Sequence, residues 1–289
     1  MSQKFGSWAL FILLSIVWGS AFIVIKTSAE ELNGWQIGAV RIASAGLVFL
    51  PFALFHLRHI PLRKLPLVIL SGALGNLFPA FLFAIAIEKK INSSLAGILN
   101  SLTPLFVIVI AVLFFRSKIA GRKIAGVLIG FIGLLILSLS KGGVEVDNFW
   151  FAMMILLATL MYGLNVNLVS YYLKDIRPMH LATVSLAFVA LPAAVVVWQD
   201  DTLAKAAFDE NMQLSIAAAA LLGIVGSAIA TALFYLLIQK AGGLFASLVT
   251  YGIPVVAIFW GVLAGEQVTL IQVACLALIL GGVYLANKN

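Results

Sequence analysis

Hydrogen-bonding side chains recur at helical spacing inside the most apolar parts of this sequence. Gly97, Asn100, Ser101 and Pro104 fall at i, i+3, i+4 and i+7, on one face of a helix, and Ser247, Thr250, Tyr251 and Pro254 repeat the pattern. A proline so placed removes a backbone donor and loosens the turn before it. Freed carbonyls can then face a cavity, or the helix can bend. Close packing of small residues, with Ser and Thr bonding back to their own backbone, accounts for Gly97, Ser101 and Ser247. It accounts less well for Asn100 and Tyr251, whose larger polar groups read as lining a path. Trp18 and Tyr162 sit mid-run, and a buried indole N–H or phenol O–H needs a partner. Asn165 lies one turn beyond Tyr162 on the same face. Asn76 with Pro79, and Ser227 with Thr231 and Tyr235, add further polar surface. The chemistry on offer is hydrogen-bonded recognition of a small polar solute.

Groups for making or breaking bonds are missing. No Asp or Glu lies in the middle of an apolar run. His56, His59 and His180 fall near run ends, with no nearby carboxylate or thiol to complete a metal site, and read as interfacial. Cys275 reads as a packing thiol. An intramembrane enzyme would need paired acids, a metal motif, or a Ser with a base, so no enzyme is expected, and no cofactor or metal. Arg41 is the one formal charge deep inside a run. Such a charge costs at least about 2.5–3.5 kcal/mol to insert. Either it snorkels to the nearer interface as an anchor, or it contacts substrate or takes part in gating.

The elements that must position these groups follow from composition. Of 289 residues, 63% are hydrophobic and 10% charged, against about 25% charged in a soluble domain; lipid must be the solvent. Ten apolar runs, at 8–25, 35–55, 66–87, 93–115, 122–140, 149–172, 179–198, 214–238, 244–264 and 268–286, are mostly near the ~20 residues a spanning helix needs. Barrel strands would alternate over about ten residues, and these runs do not. The first run, from Trp8 to Ile25, exceeds the roughly 7–15 residues of a signal h-region and reads as a retained helix. Gly126-x-x-x-Gly130 reads as a helix-packing motif.

The charges sort by gap. Numbering the gaps from the N-terminus, the odd gaps and the C-terminus hold 12 basic residues and one acid, Asp175; the even gaps hold five basic residues and ten acids. Cytoplasmic loops collect Lys and Arg, so both termini are expected in the cytoplasm. The same sorting explains the net charge of +7 without nucleic acid, whose binders cluster basic residues on one polar face.

The chain also repeats itself. Trp18-Gly19 matches Tyr162-Gly163. Gly72-x-x-Gly75-Asn76 matches Gly223-x-x-Gly226-Ser227, and Phe83 matches Phe234. Gly97, Asn100, Ser101 and Pro104 align with Ser247, Thr250, Tyr251 and Pro254. The expected fold is all-α and integral to the membrane: ten transmembrane helices in two five-helix repeats, 1–143 and 144–289. Five is odd, so the repeats have inverted topology, a mark of secondary transporters with a midplane site between the halves.

Trp18-Gly19-Ser20, Arg41, the helix-embedded Pro104 and Pro254, and Gly265-Glu266 closing the ninth run together resemble the EamA-type transporters of the drug/metabolite transporter superfamily. One departure is visible. Such proteins commonly end the fourth helix with a Gly-Glu pair, and here Phe115-Arg116 stands in that place. The resemblance implies amino acids or related metabolites as substrates, most naturally exported. The related small multidrug-resistance proteins use a mid-membrane Glu for proton exchange, which this chain lacks. An exporter of hydrophobic or cationic drugs is the alternative. The expected partners are a small-molecule substrate and the lipid bilayer, with the chain acting as a monomer in a bacterial inner membrane. The expected substrate-binding residues are Trp18, Asn76, Asn100, Tyr162, Asn165, Tyr235 and Tyr251, with Pro104, Pro254 and Arg41 at helix breaks or gates.

Overall fold

A computed structural model of the protein describes residues 2–88, 93–140, 149–200, 209–263 and 269–288. Every regular element among them is helical. In chain order these are α1 (Ser2–Ser28), α2 (Gly34–Leu57), α3 (Leu65–Gly72), α4 (Phe78–Glu88), α5 (Ser93–Asn100), α6 (Thr103–Phe115), α7 (Gly121–Ser140) and α8 (Phe149–Tyr172). They continue as α9 (Pro178–Gln199), α10 (Glu210–Leu221), α11 (Ala230–Ala241), α12 (Gly243–Ser247), α13 (Val249–Leu263) and α14 (Leu270–Asn287).

Eight continuous helical stretches among the described residues are long and apolar enough to cross a bilayer, from Phe5–Ser28 to Leu270–Asn287. Two of them, Leu62–Glu88 and Glu210–Ala241, each contain a π-helical turn, Ala73–Leu77 and Leu222–Ile229 respectively. Such turns add a residue to the helical ladder and are frequent at functional sites. The expected run 93–115 is divided at Ser101 and Leu102 into α5 and α6. The cause is Pro104, which cannot donate to the carbonyl of Asn100; the Thr103 hydroxyl donates to that oxygen instead, at 2.7 Å. Pro254 stays inside α13, and the second division falls earlier, at Leu248 between α12 and α13. The two prolines match in sequence but not in where their helices break.

Helix ends are set by the local sequence. Asn33 and Gln36 form a capping box at α2, as Thr269 and Gln272 do at α14. Glu88 accepts from the first N–H of α2, at Gly34 (3.1 Å), where a carboxylate complements the helix dipole. Gly242, at φ 85°, ends α11. Arg116 ends α6 in the left-handed region, at φ 48°. Gly265 and Glu266 lie outside the described residues.

Packing uses small residues. α7 runs along α14, and a Cβ on Gly126 would stand 2.5 Å from the backbone N of Ala286, so the two backbones touch as the glycine spacing predicts. Outward-facing Phe114, Trp150 and Trp198 are largely exposed, as a lipid-facing surface requires. Buried Cys275 packs in the core cluster with Val127 and Ile279.

At the strongly basic end, Asp175 accepts from Lys64 at 2.5 Å. That hydrogen bond holds its carboxyl below the usual range. His56 and His180 meet there, with Nδ1 atoms 2.7 Å apart. The ring of His59 stacks on His180 at 4.4 Å. No metal-holding group of three or more His, Cys, Asp or Glu side chains occurs among the described residues.

Candidate functional site

A cavity of about 110 Å³ lies inside the bundle. A single water needs only about 10–15 Å³ on this measure, so the space holds several waters or a small solute. Its wall is drawn from α1, α2, α4, α5, α6, α8, α11, α12 and α13 and from both π-turns.

Six of the seven expected site residues border it: Trp18, Asn76, Asn100, Tyr162, Asn165 and Tyr235. Tyr251 does not. Its hydroxyl donates to the carbonyl of Val127 in α7 at 2.9 Å, and its ring fills the space that Gly130 leaves open. The neighbouring Thr250 borders the cavity in its place, with Ser247 and Ile253. Thr250, one residue before Tyr251, points about 100° of helix away from it. Thr103, Phe83 and Phe234 also line the wall, although the two Phe were legible only as repeat markers.

Arg41 borders the cavity too, which corrects the snorkelling reading. It is half-buried, and its Nε–H donates to the hydroxyl of Ser227 at 2.8 Å, 186 positions away. The side chain therefore crosses from α2 to the second π-turn instead of reaching for an interface. Among the described residues no carboxylate pairs with it. Tyr162 is close enough to feel its charge.

Contacts across the cavity come in exchanged pairs. Trp18 meets Phe234 edge-on at 5.2 Å, and Tyr162 stacks on Phe83 at 6.2 Å. The sequence repeat equates Trp18 with Tyr162 and Phe83 with Phe234. Each aromatic side chain therefore packs on the phenylalanine of the other half. The π-turns behave alike: a side chain on Gly72 would strike the backbone of Ser185 in α9, and one on Gly223 the backbone of Arg41 in α2. Both glycines are required for close approach of a helix from the other half.

The polar wall has two kinds of member. Ser71 donates to Asn165 Oδ1 at 2.7 Å and lies 2.8 Å from the Tyr235 hydroxyl. The Ser185 hydroxyl donates to the carbonyl of Ala182 at 3.2 Å. Trp18 donates its indole N–H to the carbonyl of Gly226, within the second π-turn, at 3.0 Å. Asn167, off this face as its spacing predicts, pins α8 to α6 through Val107. By contrast, Asn76 Nδ2 and Asn100 Oδ1 are buried without any partner. The Thr231 hydroxyl donates to Asn76 Oδ1 at 2.9 Å, which fixes the Asn76 amide with its NH₂ unspent. Buried polar atoms are rarely left unpaired; the Thr183 hydroxyl is a third, but of these residues only Asn76 and Asn100 border the cavity. Pro104 is buried at the start of α6, beside Thr103 of the wall.

The described helices thus enclose a small chamber whose wall is mostly apolar and carries a few polar side chains. The chain belongs to the EamA-like transporter family, whose profile matches residues 6–139 and again 149–288, within the drug/metabolite transporter superfamily. An uncharacterized transporter of Archaeoglobus fulgidus is 26% identical over 98% of this chain and 99% of its own length. The uncharacterized inner membrane transporter YedA of Escherichia coli K12 is 29% identical over 96% of this chain and 89% of its own. A probable amino-acid metabolite efflux pump of Escherichia coli K12 is 30% identical over 47% of this chain and 44% of its own. A protein of known crystal structure superposes with a TM-score of 0.70, at 18% identity, over 97% of this chain and 96% of its own. That likeness concerns the fold alone.

Proposed function

We propose that this protein is a secondary transporter that exports small polar metabolites such as amino acids, by alternating access through the central cavity. The observation that carries the reading is the cavity itself. It lies where the two profile-matched stretches meet, and its wall contacts exchange between them in matched pairs. Rocking one half against the other would expose such a chamber to each side in turn. The name of the efflux pump from Escherichia coli supports metabolites as cargo.

The same reading takes the chain as ten crossings in two inverted five-helix repeats, 1–143 and 144–289, with both termini in the cytoplasm and a single chain sufficient for transport. The exchanged contacts support a two-fold relation between the halves. The sorting of basic residues supports the orientation. No catalytic role is proposed for any residue.

Uptake into proteoliposomes tests the function. Radiolabelled amino acids, nucleosides and cationic dyes are offered with and without a pH gradient. The reading expects saturable movement of a polar metabolite; transport of an apolar dye in preference would favour the drug exporter instead. Cysteines placed at Ser2 and Asn287 should label only from inside, and one at Asp201, which lies outside the described residues, only from outside. The opposite result at any of these sites would overturn the topology.

A further inference from the structure

The cavity has a sign. Arg41 is the one formally charged residue among its described lining residues. A guanidinium carries five N–H donors in a rigid fork and stays protonated. The Nε–H is spent on Ser227, which fixes the plane of the group, and no described residue pairs with the remaining donors. An unpaired cation facing a small chamber is costly to keep, and a bound anion offsets that cost. Asn76 and Asn100 border the same cavity, each with one buried amide atom that has no protein partner.

We infer that the transported solute carries a carboxylate, seated on the Arg41 guanidinium, with an N–H or O–H group of the solute donating to Asn100 Oδ1. This rests on the transport reading above and narrows it. The fork of Arg41 matches a carboxylate with two parallel hydrogen bonds. A phosphate monoester fits less well, because it brings about −1.5 to −2 charges to a wall with one cation. A cation meets an unpaired guanidinium and no acid, so the chamber rejects it. Zwitterionic amino acids and 2-hydroxy acids of small size satisfy both ends.

The test compares each acid with its own amide. Wild-type protein in proteoliposomes is offered radiolabelled L-serine, L-threonine and lactate, with L-serinamide, L-threoninamide, lactamide and ethidium as competitors and as direct substrates. A carboxylate should be carried, and its amide should bind at least about ten-fold more weakly. Arg41→Gln should raise the half-saturating concentration of the carboxylate about ten- to a hundred-fold and erase its advantage over the amide, while Arg41→Lys keeps part of it. Equal handling of acid and amide, or transport of ethidium, by the wild-type protein would overturn the carboxylate site and leave the transport reading standing. Movement of none of the probes under any gradient would overturn both. Should Arg41→Gln fail to fold, the wild-type ratio of acid to amide decides the question alone.

Discussion

Arg41 and Ser185 make matching backbone contacts in the two halves, and their surroundings differ. Each presents its backbone to a glycine at a π-turn of the other half, Gly223 and Gly72 respectively. On the Ser185 side the polar groups close on one another: Ser71 links Asn165 to Tyr235, and the Ser185 hydroxyl turns back to Ala182. Around Arg41 the wall stays open: its fork is unspent beyond Ser227, and Asn76 and Asn100 elsewhere on the wall carry free atoms. The same backbone arrangement thus yields a braced pole and a receptive one. Inside a membrane, a hydrogen-bonding side chain therefore says little about function until its spare valence is counted. A satisfied group holds the fold; an unsatisfied one awaits a ligand or water.

That difference ranks the substitutions. Asn100→Ala should raise the half-saturating substrate concentration roughly five- to a hundred-fold, because a buried hydrogen bond to substrate is worth about 1–3 kcal/mol. Its thermal midpoint should not fall, since the lost oxygen has no protein partner; a marked fall would move Asn100 to the braced class. Gly126→Ala, remote from the cavity, should do the reverse. A methyl 2.5 Å from the Ala286 backbone overpacks the α7–α14 contact, at a cost of about 1–3 kcal/mol, seen as a lower unfolding midpoint in detergent with unchanged substrate affinity in the folded fraction. Tyr235→Phe removes one member of the closed network and should cost about 0.5–1.5 kcal/mol of stability, while affinity shifts less than it does for Asn100→Ala. A larger loss of affinity than of stability would make the Ser185 pole receptive as well. Tyr251→Phe should have the smallest effect, about 0.5–1 kcal/mol, from loss of its bond to Val127, with transport unchanged.

The helices were legible because a membrane demands long apolar runs, and Gly126-x-x-x-Gly130 was legible because only small residues let two backbones touch. Where helices break was not. Pro104 and Pro254 look alike in sequence, yet Pro104 begins α6 and Pro254 stays within α13. The π-turns left no mark beyond their glycines. The polar face of α13 was read one residue off. Size favoured Tyr251, but the repeat register pairs Asn100 with Thr250, and both of those border the cavity. Choosing by register rather than bulk would have named Thr250. For Arg41, the deciding partner sits 186 residues away, and no local pattern points to it.

Neighbouring cysteines test the account most directly. In a Cys275→Ala background, Thr250→Cys and Tyr251→Cys are each treated with a small membrane-impermeant thiol reagent, with and without the carried solute. Thr250→Cys should react, and the solute should slow its reaction, while Tyr251→Cys stays unreactive against α7. A reactive, solute-protected cysteine at 251 beside an inert one at 250 would contradict the cavity and the function built on it.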